Sequence, residues 1–208
     1  MSGFQAGKYF LSLNGPACIM GILNVTPDSF SDGGQNFRPK DAVVHALEMQ
    51  EQGAGMIDIG GQSTRPGFTA IPPQAEWERI EPVLKALQGR LSVPVSVDTF
   101  YPQVASMALS AGADVINDVN GFTDPGMFPA VLQSGCGCII MHNGHVLKED
   151  PEEDILVRVR RFFEDKLRQA QEIGIEQERI CFDPGVGFGK TYEAVSYTHL
   201  TLPTIYSV

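Results

Sequence analysis

Residues 20–34 of the chain read MGILNVTPDSFSDGG. The first four are apolar or glycine, which is typical of a strand buried on both faces of a parallel sheet. From Asn24 onward come an amide, hydroxyls, two carboxylates and one aromatic ring, and a glycine pair closes the stretch. An α/β protein places its chemistry where a buried strand ends in such hydrogen-bonding groups. This loop is therefore predicted to belong to a functional site.

The composition is that of a globular protein. The chain has 208 residues, 43% of them hydrophobic and 19% charged, which suits one domain with a sizeable core. We find neither a run approaching the roughly 18 apolar residues of a membrane helix nor a signal peptide. The formal net charge of −10, without a local basic stripe, argues against nucleic acid as a partner. The four cysteines lie in apolar contexts and are expected to be buried and reduced, which favours the cytoplasm.

Strand and helix patterns alternate along the chain after a polar lead-in, in which a short hairpin is expected through residues 12–15. Strict alternation predicts a parallel sheet covered by helices, either as an open doubly wound sheet or as a (β/α)8 barrel. Strands are predicted over residues 17–23, 56–60, 93–97, 114–118, 138–141 and 180–182, and helices over 39–53, 74–87, 102–111, 124–133 and 152–173.

The ends of these strands favour the barrel. A barrel gathers the carboxyl ends of all its strands on one face, whereas an open sheet gathers only those at its switch point. No Gly-x-Gly-x-x-Gly turn follows the first strand, which weakens a dinucleotide-binding sheet. We therefore predict an α/β chain with the (β/α)8 TIM barrel fold, of which about six βα units are present. The polar strand ends are Asn24, Gly61-Gln62, Asp98, Asn117, His142 and Asp183.

The alternating pattern fails after Lys190. Residues 194–208 contain no Lys, Arg, Asp or Glu and show neither helical nor strand periodicity. We expect an incomplete barrel domain over residues 1–194. Residues 195–208 are expected to be a non-homologous tail joined to a truncated reading frame, and a natural short terminus is the alternative.

Five motifs occur in one order along the chain: residues 20–34, DIGGQSTRPG at 58–67, VDT at 97–99, INDV at 116–119 and DPGVGFGK at 183–190. Together they resemble dihydropteroate synthase. The resemblance implies a (β/α)8 barrel. It also implies displacement of pyrophosphate from 6-hydroxymethyl-7,8-dihydropterin diphosphate by the amine of 4-aminobenzoate, which gives dihydropteroate. Related pterin-binding barrels in methyltransferases share the core carboxylates but are not known for the pattern of the first loop.

The chemistry of the strand ends fits the pterin pocket that the resemblance implies. A pterin presents alternating hydrogen-bond donors and acceptors and an exocyclic amine, so binding it requires buried acceptors and an amide that both donates and accepts. Asp98, Asn117 and Asp183 end the third, fourth and sixth predicted strands and supply that set. The alternative is that each carboxylate caps a following helix.

The resemblance assigns catalytic groups to two further loops. Asn24 resembles the family's Mg²⁺ ligand, and one amide oxygen with diphosphate oxygens is a reasonable shell for that ion; a turn residue is the alternative. Asp32 would lie near the reacting carbon and could stabilise a cationic pterin methylene, unless it is a surface turn carboxylate. Arg65 could hold an anion, and Thr64 would add a hydroxyl donor.

Apolar residues are expected to enclose the flat rings. Phe30 and Pro66 could form one wall for 4-aminobenzoate, Phe188 could pack from the other side, and Met141 could lie against the pterin face. Ordinary packing is the alternative for each. Lys190 follows a glycine-rich run, but the spacing is wrong for a P-loop, and we expect the glycines to let the backbone approach a flat ligand.

The family completes its site with a lysine and a serine after the seventh strand and an arginine and a histidine after the eighth. It forms homodimers through helices near that end. We expect this chain to end before those groups. Two hypotheses follow: a dihydropteroate synthase by lineage, acting on small-molecule substrates, or a non-catalytic fragment with at most weak pterin binding.

Overall fold

A short hairpin precedes a parallel sheet whose strands are joined by helices. The computed structural model describes residues 3–26, 39–64, 68–147, 150 and 152–190. A 3-10 turn over Gln177–Arg179 precedes the last strand. The strands are β1 (Gly3–Ala6), β2 (Tyr9–Ser12), β3 (Met20–Asn24), β4 (Met56–Gly60), β5 (Val95–Asp98), β6 (Val115–Asp118), β7 (Gly137–Met141) and β8 (Ile180–Asp183), and the helices are α1 (Pro39–Glu51), α2 (Pro73–Leu87), α3 (Pro102–Ser110), α4 (Met127–Leu132) and α5 (Ile155–Glu172).

The strand order decides between the two predicted closures. The sheet runs β3-β4-β5-β6-β7-β8, and every neighbouring pair is parallel. A doubly wound sheet would reverse its strand order at a switch point, and this sheet does not. Consecutive parallel strands joined by helices are the topology of a (β/α)8 barrel. The prediction of a barrel with six units is therefore confirmed, and β3 and β8 lie at the two edges of the described sheet.

The main core lies between the outer face of the sheet and the helices. Residues at alternate strand positions, such as Ile57, Val97 and Ile140, are fully buried there against helical residues such as Ile80 and Leu84. Burying a side chain of this size contributes about 1.5–3 kcal/mol, so this layer supplies most of the stability. None of the helices in the described ranges is long and apolar enough to cross a bilayer.

The N-terminal hairpin covers the amino-terminal end of the barrel interior. Phe4 and Ala6 of β1 form a second apolar cluster with Met56, Val115 and Ile139, which point to the inner face of the sheet. The hairpin is antiparallel, with Ala6 paired to Tyr9. This end of the barrel is therefore closed by apolar packing, and the opposite end holds the polar strand termini.

Two sequence predictions about this region were wrong. The hairpin turns at Gly7, not at residues 12–15, because Gly7 adopts a positive φ of 58° and the Gln5 side chain donates to its carbonyl. Cys18 and Cys181 are exposed, although Cys136 and Cys138 are buried as predicted. Both exposed cysteines lie near the sheet edges, where the inward-facing Ile22 is 63% exposed as well.

Local chemistry sets the limits of α5. The Asp154 side chain accepts a hydrogen bond from the Leu156 backbone amide at 2.7 Å, so the helix begins three residues later than predicted. It ends before Gly174, whose φ of 90° is the left-handed conformation that terminates helices. The predicted tail lies outside the described residues and stays a prediction.

Candidate functional site

The polar ends of the first four sheet strands lie at one level. Asn24 of β3 pairs with Gly60 of β4, Gly60 with Asp98 of β5, and Asp98 with Asn117 of β6. Residues in register on neighbouring strands point to the same face, and here that is the inner face of the barrel. Of the predicted site residues, Asn24, Asp98 and Asn117 share this level. Asn117 pairs with Ile139 of β7, and Met141 pairs with Asp183 at the next inward-facing position toward the carboxyl ends of β7 and β8.

Several predicted site residues cannot be placed. Phe30, Asp32, Arg65 and Pro66 lie outside the described residues. Thr64 is half-buried in the segment after β4, at the last described position before that gap.

Asp98 is half-buried, and one of its carboxylate oxygens lacks a hydrogen bond from the described residues. Its Oδ1 is buried without a hydrogen-bond partner among the described residues. Burial, followed by the charges of Asp58, Glu76 and Asp118, raises its pKa well above the ordinary value. Its side chain does not cap the next helix either, because α3 begins after Tyr101 without a side-chain cap. A half-buried carboxyl with an unpaired oxygen at a barrel mouth is suited to receive an N–H group from a ligand.

The Asn117 side chain is hydrogen-bonded to a residue deeper in the barrel. It is buried, and its Nδ2 donates to Oδ2 of Asp58 at 3.2 Å. Its backbone carbonyl accepts from the Thr99 amide at 3.0 Å, which ties the ends of β5 and β6 together. The side-chain carbonyl of Asn117 is left for a ligand.

The two carboxylate oxygens of Asp183 have different surroundings. Its Oδ1 accepts from the Gly185 backbone amide at 2.7 Å, so it stabilises a turn and not a helix start. Its backbone carbonyl accepts from the His142 amide at 2.8 Å, which extends the pairing of β7 and β8 beyond their ends. The second carboxylate oxygen is available to a ligand.

The glycine-rich run after β8 forms a loop closed by Lys190. The Lys190 ammonium donates to the backbone carbonyls of His142 and Gly185, each at 3.0 Å, and of Phe188 at 3.4 Å. An ammonium used in this way does not bind phosphate as a P-loop lysine does. Phe188 is half-buried in this loop, and Met141, which is buried on the inner face, lies beside Gly185 of the same loop.

Two buried acids beside the site were not predicted from sequence. Glu76 of α2 accepts from Gln62 Nε2 at 2.7 Å and from Thr99 Oγ1 at 2.6 Å, and burial raises its pKa despite these donors. Its sequence signal was a position on the same helical stripe as Ile80. The other acid, Asp58, opens the DIGG motif, but nothing in the sequence showed its contact with Asn117.

The space between β3 and β5 presents oxygen atoms that suit a cation. A Cβ atom on Gly60 would lie 3.5 Å from Asn24 Oδ1 and 3.7 Å from Asp98 Oδ2, so the missing side chain leaves these oxygens facing one gap. Within the described ranges, no cluster of three His, Cys, Asp or Glu residues could hold a metal. The donor set therefore fits a hard cation that takes most of its oxygens from a ligand and water.

The sequence matches a family model described as pterin binding enzyme over residues 20–206. The dihydropteroate synthase of Escherichia coli K12 is 42% identical over 176 residues, which cover 83% of this chain and 62% of that protein. The chain thus matches about three-fifths of the length of this curated relative.

Solved structures give the same likeness. The dihydropteroate synthase of Xanthomonas albilineans with 4-aminobenzoic acid is 39% identical, with a TM-score of 0.89 over 99% of this chain and 74% of that one. The structure of the Xanthomonas albilineans enzyme in complex with 7,8-dihydropteroate is 37% identical, with a TM-score of 0.83 over 97% of this chain and 72% of that one.

Proposed function

The chain belongs to the pterin-binding enzyme family, and on that premise we propose that it is a dihydropteroate synthase of folate biosynthesis. The reaction joins 6-hydroxymethyl-7,8-dihydropterin diphosphate to 4-aminobenzoate and releases pyrophosphate. The proposal depends mainly on Asp98 and Asn117, which are paired in register at the mouth of the barrel. Asp98 has an unpaired carboxylate oxygen, and Asn117 has a side-chain carbonyl that its contact with Asp58 does not use.

The pocket chemistry supports a pterin as the first substrate. Asp98 would accept from one ring N–H group, and Asp183 would accept from a second with the oxygen that Gly185 does not use. Asn117 would accept from the exocyclic amine with its side-chain carbonyl. Charge-assisted hydrogen bonds of this kind are roughly twice as strong as neutral ones, so the two acids would dominate affinity.

The bond-forming step needs orientation more than covalent catalysis. The amine of 4-aminobenzoate is already a nucleophile and pyrophosphate is a good leaving group, so the protein must hold the reacting atoms in line and stabilise charge. Phe188 and Met141 would pack against the flat rings from the β7–β8 side. By resemblance, Phe30 and Pro66 would form one wall for 4-aminobenzoate, and Asp32 would stabilise the developing positive charge. Arg65 would hold an anion, and Thr64 would add a hydroxyl donor.

A divalent metal fits the diphosphate end of this arrangement. Asn24 would hold Mg²⁺ with its side-chain oxygen, beside the gap left by Gly60. When bound, the ion would neutralise charge on the departing pyrophosphate. A cytoplasmic location and a homodimeric assembly are further proposals that rest on the family resemblance.

Pyrophosphate release tests the proposal directly. The purified chain is mixed with the pterin diphosphate, 4-aminobenzoate and Mg²⁺, and release is measured beside pterin binding by calorimetry. We expect Asp98→Asn to weaken pterin binding by tenfold or more, on the order of 1.4 kcal/mol, because the new amide NH₂ would face a ligand N–H. Asp114→Asn removes the same charge at the opposite end of the sheet and should leave binding unchanged.

The outcomes separate the two hypotheses stated from the sequence. Pyrophosphate release supports the synthase. Pterin binding that depends on Asp98, without release, supports a non-catalytic pterin-binding chain, and the exposed edge at Ile22 favours that alternative. Pterin binding that Asp98→Asn does not change would refute the assignment of the pocket.

A further inference from the structure

Asp58 is a buried carboxylate without a role in the reaction described above. It lies on the inner face of β4, one level below Gly60, and is 4% exposed. Its register neighbours are Ile22 and Ser96, and no cation among the described residues pairs with it. Burial raises the pKa of Asp58, so the charged form is costly at this position. An apolar residue would suit this layer better, and a buried acid here therefore calls for an explanation.

The contact between Asp58 and Asn117 explains why an acid is buried at this position. A side-chain amide has an accepting end and a donating end of nearly the same shape, and only the NH₂ end can donate to a carboxylate. Asp58 Oδ2 accepts from Asn117 Nδ2 at 3.2 Å, so the NH₂ end is directed down into the barrel. The carbonyl end is then left for the pocket, at the same level as Asp98.

We propose that Asp58 is a positioning residue that fixes the orientation of the Asn117 amide and thereby selects pteridines carrying an amine over those carrying a carbonyl oxygen at the same edge. The inference rests on the proposed function, because it takes a pteridine as the ligand. Asp58 itself need not touch the ligand. It acts by deciding which end of Asn117 the ligand meets.

The discrimination follows from hydrogen-bond polarity. A 2-amino pteridine offers an N–H group to the Asn117 carbonyl, whereas a 2-oxo pteridine offers a second acceptor. Two facing acceptors leave both unsatisfied, which weakens binding by roughly tenfold or more. If the amide were free to rotate, it would present its NH₂ end to the 2-oxo ligand and the difference would shrink.

The first experiment compares two ligands with the intact chain. Affinities for 6-hydroxymethylpterin and for 6-hydroxymethyllumazine, its 2-oxo counterpart, are measured for the wild type, Asp58→Asn and the control Asp114→Asn. An asparagine at 58 can face Asn117 with either end, so the preference for the amine should fall toward one while the control keeps it. A preference retained in Asp58→Asn would overturn the proposal.

A second experiment needs no ligand, so it separates failure of this inference from failure of the proposed function. The Asn117 side-chain NH₂ signals are followed by ¹⁵N NMR, and they are assigned by their loss in Asn117→Asp. We expect slow hydrogen exchange in the wild type and in Asp114→Asn, and fast exchange in Asp58→Asn. Unchanged exchange in Asp58→Asn would refute the positioning role whatever the ligands do. The expected change in a chain that binds neither pteridine would uphold the positioning and refute the pterin function.

A second variant guards against misfolding of the first. Asp58→Leu fills a similar space with an apolar side chain between Ile22 and Ser96, and replacing a buried charge by an apolar residue is often tolerated. It removes the acceptor below Asn117, so it too should lose the preference for the amine. A folded Asp58→Leu that keeps the wild-type preference would equally overturn the proposal.

Discussion

Replacing Asp118 should change how the stability of this protein depends on pH. Asp118 ends β6 and is fully buried. Its Oδ1 accepts from the Asn120 backbone amide and its Oδ2 from that of Phe122, both at 2.7 Å. Phe122 has a positive φ of 54°, and Lys166 donates to its carbonyl at 2.7 Å. The carboxylate therefore holds the loop that follows Asn117.

The magnitude and sign follow from the pKa. Burial outweighs the two amide donors and nearby Lys166, and it raises the pKa of Asp118 from 3.8 to about 6. The folded state thus binds the proton more tightly than the unfolded state does. Its stabilising contribution is fully present below about pH 3.8 and is lost as the pH rises through about 6. A difference of this size corresponds to about 3 kcal/mol.

Urea denaturation followed by circular dichroism measures the effect. Asp118→Asn cannot ionise, so it should avoid this loss, although it carries a roughly constant cost of about 1–2 kcal/mol because one backbone amide loses its acceptor. The stability of the wild type minus that of the variant should therefore fall by about 3 kcal/mol between about pH 3.5 and about pH 7. A difference that is the same at both pH values would refute this account of Asp118.

Two further substitutions test the loops around the site. Lys190→Met removes the ammonium that donates to three backbone carbonyls, and it should lower the free energy of unfolding by about 1–3 kcal/mol in urea denaturation. The control Lys85→Met removes an exposed surface ion pair and should lower it by less than about 1 kcal/mol. Equal losses would argue against the role of Lys190 in closing the loop. Gly121→Ala would place a Cβ atom against the Met141 carbonyl, at a residue whose φ is 70°. It should therefore lower the melting temperature more than the control Gly53→Ala does, because Gly53 also has a positive φ but faces open space. Equal shifts in melting temperature would contradict a steric cause.

The sequence predicted the order of the elements well because that order depends on local periodicity. The six sheet strands and five helices lie within a few residues of their predicted positions. The predicted helix start before α4 at residue 124 was early, because Asp124 accepts from the Gly126 amide in a turn ahead of the helix. Such limits depend on one hydrogen bond, which a pattern of apolar residues does not specify.

The positions of the site residues were also predictable from the sequence, but their contacts were not. Polar residues directly after buried strands indicated one reactive face, and Asp98, Asn117 and Asp183 do lie at the strand ends. The hydrogen-bond partners of their side chains were not predictable. One oxygen of Asp183 accepts from a turn amide, whereas one oxygen of Asp98 has no partner among the described residues. These differences arise from the backbone geometry after the strands end.

The fold class, the family and the residues that face the barrel mouth follow from the amino-acid sequence. Strand periodicity, helix periodicity and motif order are properties of residues close together along the chain. Contacts between residues far apart in the chain depend on the folded arrangement. Asp58 and Asn117 are 59 residues apart, and Glu76 and Thr99 are 23 apart. Parallel pairing of β4, β5 and β6 brings Asp58 to Asn117 on the inner face, and packing of α2 on the sheet brings Glu76 to Thr99. Burial then raises the pKa of both acids.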